Sequence, residues 1–166
     1  MFKKTLLITV LCLLPFSAQA KCDLSVKNIR TLSQRYLNAV YKQAPMGLKK
    51  PKLIVSNKKV NDFYAEELNG VITVYPKAFT DQHCGKNVDE LTPFVGEVIS
   101  HEYTHYLDEK LHISKKLGKS SMSEYTANLG ENVFDALIWN TGYTTKELTE
   151  TDVNKYLKFM KIIKAI

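Results

Sequence analysis

The 166-residue sequence predicts an α+β fold, because patterns typical of helices and of strands occupy different stretches of the chain. Residues 24 to 42 place apolar side chains every three or four positions, which is the period of an amphipathic helix. Residues 52 to 75 contain three short segments rich in β-branched and aromatic residues. Helical patterns return after residue 91 and continue to the end of the chain. We therefore expect a small sheet combined with several helices.

The predicted sheet consists of short strands joined by tight turns. A break at Ala44-Pro45-Met46-Gly47 ends the N-terminal helix, which runs from Leu24 to Lys42. Strands are predicted at residues 52 to 56, 63 to 66 and 71 to 75. Asn69-Gly70, between the last two, is a strong signal for a two-residue hairpin. The pattern indicates a small antiparallel β-meander, followed by a polar loop over residues 81 to 90.

Three helices are predicted in the second half. Thr92-Pro93 is typical of a helix start, and the helix should continue to about Lys110. We expect Gly96, inside this helix, to permit close packing. The next helix should run from Glu124 to Asn140 and an amphipathic C-terminal helix from Thr151 to Ala165. The C-terminal helix carries a row of lysines, for which a solvated face is favoured over a membrane-binding surface: Lys155, Lys158, Lys161 and Lys164.

The first 20 residues have the three parts of a secretory signal peptide. Lys3 and Lys4 are followed by an apolar run from Leu6 to Phe16 and by the small-residue site Ala18-Gln19-Ala20. The apolar run is shorter than the roughly 20 residues that a membrane-spanning helix needs. We predict cleavage before Lys21 and a periplasmic or secreted protein without stable membrane insertion.

Residues 21 to 166 are enough for one domain with a hydrophobic core. Cys22 and Cys84 would remain after cleavage, and in an oxidising compartment a disulfide between them is expected. Metal binding by either cysteine is the less favoured alternative, because neither lies in a CxxC or CxxH pair. The net charge of +6 is spread along the chain, and no basic patch with interleaved aromatic residues indicates nucleic-acid binding.

The residues with the clearest chemical meaning are His101-Glu102-Tyr103-Thr104-His105, an HExxH motif on the predicted third helix. Positions i and i+4 lie on one helix face, so His101 and His105 can converge on a single zinc ion. Glu102 follows the first ligand and can act as general base toward water at the metal. A catalytic zinc site has three protein ligands, so one more is required.

The third ligand can be assessed from the types of HExxH protein. The metzincin pattern requires Gly at position 108 and His at position 111, where this chain has Asp108 and Leu111. The GTxD segment of aspzincins is absent. A glutamate on a second helix is the remaining choice. Glu124 opens such a helix 19 residues after His105, and Glu131 lies on the same helix.

With Glu124-Tyr125-Thr126-Ala127-Asn128 added to the HExxH motif, the chain resembles gluzincin metallopeptidases, the thermolysin-like class, in particular small single-domain members. The resemblance implies one zinc ion and hydrolysis of peptide bonds in exported proteins or peptides. It also favours Glu124 over the alternative Glu131 as third ligand, because its spacing and the following Ala127 fit the family. It also implies that Val71 to Tyr75 is an edge strand to which a peptide substrate adds. Asn128 stands where the family often has an aspartate that orients the first histidine; Glu131 and Asp135 are alternatives for that role.

Two further points stay open at this level. The residue that would stabilise the oxyanion can be His112, Tyr125 or Tyr143. The alternative to a peptidase is a catalytically inactive zinc-binding protein of the same fold, acting as an adhesion or inhibitory module. The intact Glu102 favours the peptidase, because zinc binding alone does not require that carboxylate.

Overall fold

The structure is a computed structural model that describes residues 26–44, 46–83, 88–119, 124–139, 154 and 158–163. The predicted signal peptide, both mature cysteines and Tyr143 lie outside these residues, as do Lys155 and Lys164. Within the described part, helices and a small sheet share a hydrophobic core. The predicted α+β class is therefore confirmed.

The first helix, α1 (Val26–Gln43), forms because its apolar residues repeat at helical spacing. It buries Ile29, Tyr36, Leu37 and Val40 along one face and places its charged residues toward solvent. The predicted helix over residues 24 to 42 is confirmed over the described residues.

Strands β1 (Lys52–Val55), β2 (Ala65–Leu68) and β3 (Val71–Val74) form a three-stranded sheet in the order β1-β3-β2. The hairpin predicted at Asn69-Gly70 joins β2 to β3, with φ angles of 54° and 78°. Positive φ at both positions gives the turn a twist that matches antiparallel strands, which is why this dipeptide favours hairpins.

The predicted meander is wrong in its topology, because β1 pairs with β3 in parallel and the sheet is mixed. Residues 56–64 are long enough to carry the chain past the position that β3 occupies. β3 takes the centre because Ile72 and Val74 are fully buried, whereas β2 carries Glu66 and Glu67 and suits an edge. Consequently β3 is not the edge strand that the family resemblance implied.

Helix α2 (Pro76–His83) and helix α3 (Val88–Leu111) follow the sheet. Most of the segment predicted as a loop is therefore helical, and α3 begins before Thr92. Pro93 lies inside α3 but close to its N-terminus. Its fixed φ is compatible with a helix, but at this position it removes one backbone hydrogen bond and its ring crowds the carbonyl group four residues earlier.

A short helix, α4 (Ile113–Lys116), and helix α5 (Glu124–Trp139) complete the region around the HExxH motif. Residues 158–163 are helical as predicted and bury Phe159 and Ile163, while Lys158 and Lys161 are exposed. None of the helices in the described part of the chain combines the length and apolar character needed to span a bilayer.

Helix α3 packs against α1, α5 and β2, and so lies at the centre of the molecule. Two glycines permit the closest helix contacts. A Cβ at Gly96 would lie 2.5 Å from Cε1 of Tyr36 on α1, which confirms the expectation of close packing at this glycine. A Cβ at Gly130 on α5 would lie 2.0 Å from Oγ1 of Thr104 on α3. These contacts hold the HExxH helix tightly between its neighbours.

Candidate metal centre

His101 and His105 lie one turn apart on α3 and direct the same ring nitrogen toward a common point. Their Nε2 atoms are 3.2 Å apart. Two imidazole nitrogens at this distance can share a hydrogen bond, in which one nitrogen donates and the other accepts. Alternatively, both nitrogens can direct their lone pairs toward one cation between them. The helical spacing therefore produces the predicted pair of ligands.

Glu124, the first residue of α5, completes the group. Its Oε2 atom lies 3.1 Å from Nε2 of His101, and its Oε1 atom lies 3.3 Å from Nε2 of His105. Donor atoms bound at about 2.0–2.1 Å to a tetrahedral ion are separated by about 3.3 Å. The three predicted ligands thus have the spacing that such an ion requires. Within the part of the chain that the structure describes, these three residues form the group that could hold a metal ion.

A polar network at the end of α3 holds the start of α5 near the histidines. Asp108 is buried and accepts a hydrogen bond of 2.7 Å from the backbone N–H of Ser114. The Ser114 hydroxyl also contacts the Asp108 carboxylate, and its oxygen is 2.8 Å from Oγ1 of Thr126. Because Thr126 is two residues after Glu124, this network connects the end of the HExxH helix to the third ligand.

Glu131 occupies the other side of the His101 ring. Its Oε2 atom is 3.2 Å from Nδ1 of His101. A hydrogen on Nδ1 that is donated to Glu131 leaves the lone pair of Nε2 available for a metal. Glu131, rather than Asn128 at the position that the family resemblance implied, is thus placed to orient His101, and Asn128 is exposed on the same helix.

The general-base candidate Glu102 is nearly buried, with 8% of its surface exposed. Its carboxylate accepts a hydrogen bond from the backbone N–H of Glu67 on β2. Burial raises the pKa of Glu102 to about 7, despite the opposing effects of the His101 charge and of this hydrogen bond. A carboxylate with this pKa can both accept and donate a proton near neutral pH.

The two histidines have different proton affinities. Burial disfavours the charged form of His101, but the hydrogen bond to Glu131 and the charges of Glu102, Glu131 and Glu124 outweigh it and raise the pKa. Burial and the charge of His101 lower the pKa of His105. The pair therefore resists double protonation, and His105 is the more readily available neutral ligand.

A cleft of about 260 Å³ opens beside His101 and Glu102, between α3 and the chain that enters β2. Phe63, Phe94 and Val98 contribute to its apolar walls. Sequence reasoning did not identify this cleft, because its walls come from two elements that are distant in the chain. One signal was present: Glu97 lines the cleft and precedes His101 by four residues, on the same face of α3.

The proposed oxyanion-stabilising residues differ in their surroundings. His112 is exposed in the turn between α3 and α4, with a φ angle of 54°. Tyr125 is partly buried, and the ammonium of Lys119 lies 4.7 Å from the centre of its ring. These contacts do not assign the role to either residue.

The chain was compared with protein-family models, curated proteins and solved structures. None of these matched. Function is therefore inferred from the chemistry and geometry of the candidate metal centre and the adjacent cleft.

Proposed function

We propose that this protein is an exported zinc endopeptidase of the gluzincin type. His101, His105 and Glu124 would bind one zinc ion, and Glu102 would act as general base. The observation that carries the proposal is the convergence of three donor atoms next to a buried carboxylate that directly follows the first ligand.

The donor set fits a catalytic zinc site rather than a structural one. Two imidazoles and one carboxylate are a known catalytic combination, and three protein ligands leave a position for water or substrate. When bound, zinc would act as a Lewis acid that acidifies water and polarises a carbonyl group. Glu131 orients His101 for this task by accepting its Nδ1 hydrogen.

Glu102 would move the proton during hydrolysis. It would accept a proton from the attacking water and deliver it to the amine that leaves when the peptide bond breaks. Its pKa of about 7 suits both steps, and its bond to the Glu67 N–H fixes the position of the carboxylate. A role in zinc binding alone would not require a carboxylate held in this place.

The edge strand β2 supports a peptide as the substrate class. The bond from the Tyr75 N–H to the Tyr64 carbonyl, together with the strand register, directs the backbone groups of Ala65 and Glu67 away from β3. The Glu67 N–H is donated to Glu102, so the groups that a peptide could meet are the N–H and carbonyl of Ala65 and the carbonyl of Glu67. Ala65 also lines the cleft beside the metal centre. An extended peptide could pair with this edge and place a carbonyl group near Glu102.

The test combines zinc analysis with cleavage of a peptide library, detected by mass spectrometry. Wild-type protein should bind one zinc ion and cleave peptides. Glu102→Gln should retain zinc and lose at least about 100-fold in kcat/KM, because a general base is removed. Glu124→Ala should bind zinc much more weakly. Glu109→Gln, the same change on the same helix away from the site, is the matched control and should behave as wild type.

Two results would overturn the proposal. One is a wild-type protein that binds no zinc, and the other is equal cleavage by wild type and Glu102→Gln. Tight zinc binding without cleavage by wild type would instead support the alternative of an inactive zinc-binding module.

A further inference from the structure

The cleft beside Glu102 has the dimensions of a pocket for one long side chain. Its volume of about 260 Å³ is below the roughly 300–1,000 Å³ that is typical of sites for drug-sized ligands. It lies next to the metal ligand His101 and the candidate general base Glu102. A peptide residue close to the cleaved bond could therefore insert its side chain here.

The walls of the cleft can accommodate a chain of methylene groups. Phe94 and Tyr64 pack with their ring centres 4.8 Å apart, in an edge-to-face arrangement. Phe63 is 41% exposed although it is large and apolar, and Val98 is partly exposed on α3. Apolar walls of this kind favour burial of an aliphatic stem.

The polar lining of the cleft is acidic. Asp62, Glu97 and Glu131 contribute carboxylates, and no lysine or arginine is among the lining residues that the structure describes. Glu131 is already engaged with His101. Glu97 is partly buried on α3 and is therefore the carboxylate best placed to meet a cation in the cleft.

An organic cation fits these carboxylates better than a second metal ion. Metal binding would require at least three donor atoms to converge, and within the described residues only His101, His105 and Glu124 do so. A lysine or arginine side chain needs one or two carboxylates at the end of an apolar channel. We propose that the cleft binds a lysine or arginine side chain of the peptide substrate and that Glu97 determines this specificity. This inference rests on the proposed peptidase function.

The experiment uses peptides that are identical except for one residue next to the cleaved bond, which is Lys, Arg, Leu, Gln or Glu. The wild-type enzyme should show kcat/KM values at least about tenfold higher for Lys and Arg than for Leu or Gln, since a charge-assisted bond is lost with the neutral residues. Glu97→Gln should reduce the Lys-to-Leu ratio by about tenfold, and Glu97→Lys should favour the Glu peptide. Asp62→Asn should reduce the ratio less, because Asp62 is exposed.

Glu109→Gln is the control and should leave the ratio as in wild type. An active enzyme without a preference for Lys or Arg would overturn the inference, as would an unchanged ratio in a folded Glu97→Gln protein. Folding of each variant is checked by circular dichroism.

A binding measurement separates this inference from the proposed function. Two zinc-loaded proteins, the Glu102→Gln variant and the double variant Glu102→Gln, Glu97→Gln, are each titrated with fluorescent forms of the Lys and Leu peptides. Preferential binding of the Lys peptide that depends on Glu97 would support the pocket even if the wild-type protein cleaved nothing. Equal binding of the two peptides would refute it independently of catalysis.

Discussion

The carboxylate of Glu131 lies 3.2 Å from Nδ1 of His101, while Nε2 of the same ring lies 3.1 Å from the carboxylate of Glu124. Both glutamates belong to α5 and are seven residues apart, which places them on one helix face two turns apart. A single helix therefore supplies a candidate metal ligand and also contacts the other face of the histidine that α3 contributes.

Removal of the Glu131 charge should weaken zinc binding without abolishing it. We expect Glu131→Gln to reduce zinc affinity about 10- to 100-fold, because the orienting carboxylate is lost but all three ligands remain. Competition with a chromophoric chelator measures the change. Asn128→Ala, on the exposed part of the same helix, is the control and should have little effect. An equal loss in both variants would contradict the role assigned to Glu131.

Zinc affinity should depend on pH through His101. A protonated imidazole cannot bind zinc, and the surrounding carboxylates raise the pKa of His101 above its ordinary 6.5. The affinity should therefore begin to fall at a higher pH than for an unperturbed histidine. In Glu131→Gln the hydrogen bond to a charged partner is lost, so the decline should move to lower pH. Chelator competition from pH 5 to 8 measures zinc affinity in wild type and in Glu131→Gln. If the two affinity profiles coincided, Glu131 would not be what raises the pKa of His101.

Asp135 should make the stability of the folded protein depend on pH. Burial, followed by the charges of Glu97 and Glu131, raises its pKa from 3.8 to about 7. The folded state thus binds the proton more tightly than the unfolded state, and stability should fall as pH rises from about 4 to 7. Asp135→Asn removes this effect. Between pH 4 and pH 7 the free energy of unfolding of Asp135→Asn, relative to that of wild type, should therefore rise by about 1 kcal/mol, a figure that includes solvent screening.

Urea unfolding at pH 4.5 and pH 8, with a chelator present, tests this expectation for Asp135. Asp62→Asn is the matched control, because the same substitution is made at an exposed position. If the difference between Asp135→Asn and wild type were the same at both pH values, the raised pKa would not be the cause.

Close packing at Gly130 should make any side chain there destabilising. The Cβ of alanine would overlap Thr104, with distances of 2.0 Å to Oγ1 and 2.4 Å to Cγ2. We expect Gly130→Ala to lower the free energy of unfolding by roughly 1–3 kcal/mol, because α5 must move away from α3. Thermal or urea unfolding measures the loss.

Two further variants identify the contact responsible at Gly130. The double variant Gly130→Ala, Thr104→Ala should lose less stability than the sum of the single changes, since the Thr104 hydroxyl and methyl are gone. Asn132→Ala, at an exposed position of the same helix, should change stability by less than about 0.5 kcal/mol. Strictly additive effects would show that the overlap with Thr104 is not the source.

Local sequence patterns were sufficient for the elements and for part of the site. Helical spacing alone predicts that His101 and His105 face one point, and Asn69-Gly70 predicts its hairpin, because these features depend on residues only a few positions apart. The sequence also indicated Glu124 as the candidate third ligand, through its place at the start of a predicted helix and through the resemblance to gluzincins, with Glu131 as the alternative.

The tertiary structure decided which distant groups meet these residues. The strand order β1-β3-β2 makes β2 the edge beside Glu102, although a meander was the simpler prediction from short neighbouring strands. The close approach of α5 to α3 at Gly130 selects Glu131 over Asn128 as the partner of His101. The cleft that Glu97 lines likewise forms only when α3, α5 and the segment that enters β2 pack together. Such contacts depend on the burial of whole faces and on chain crossings, which no periodicity within a single segment specifies.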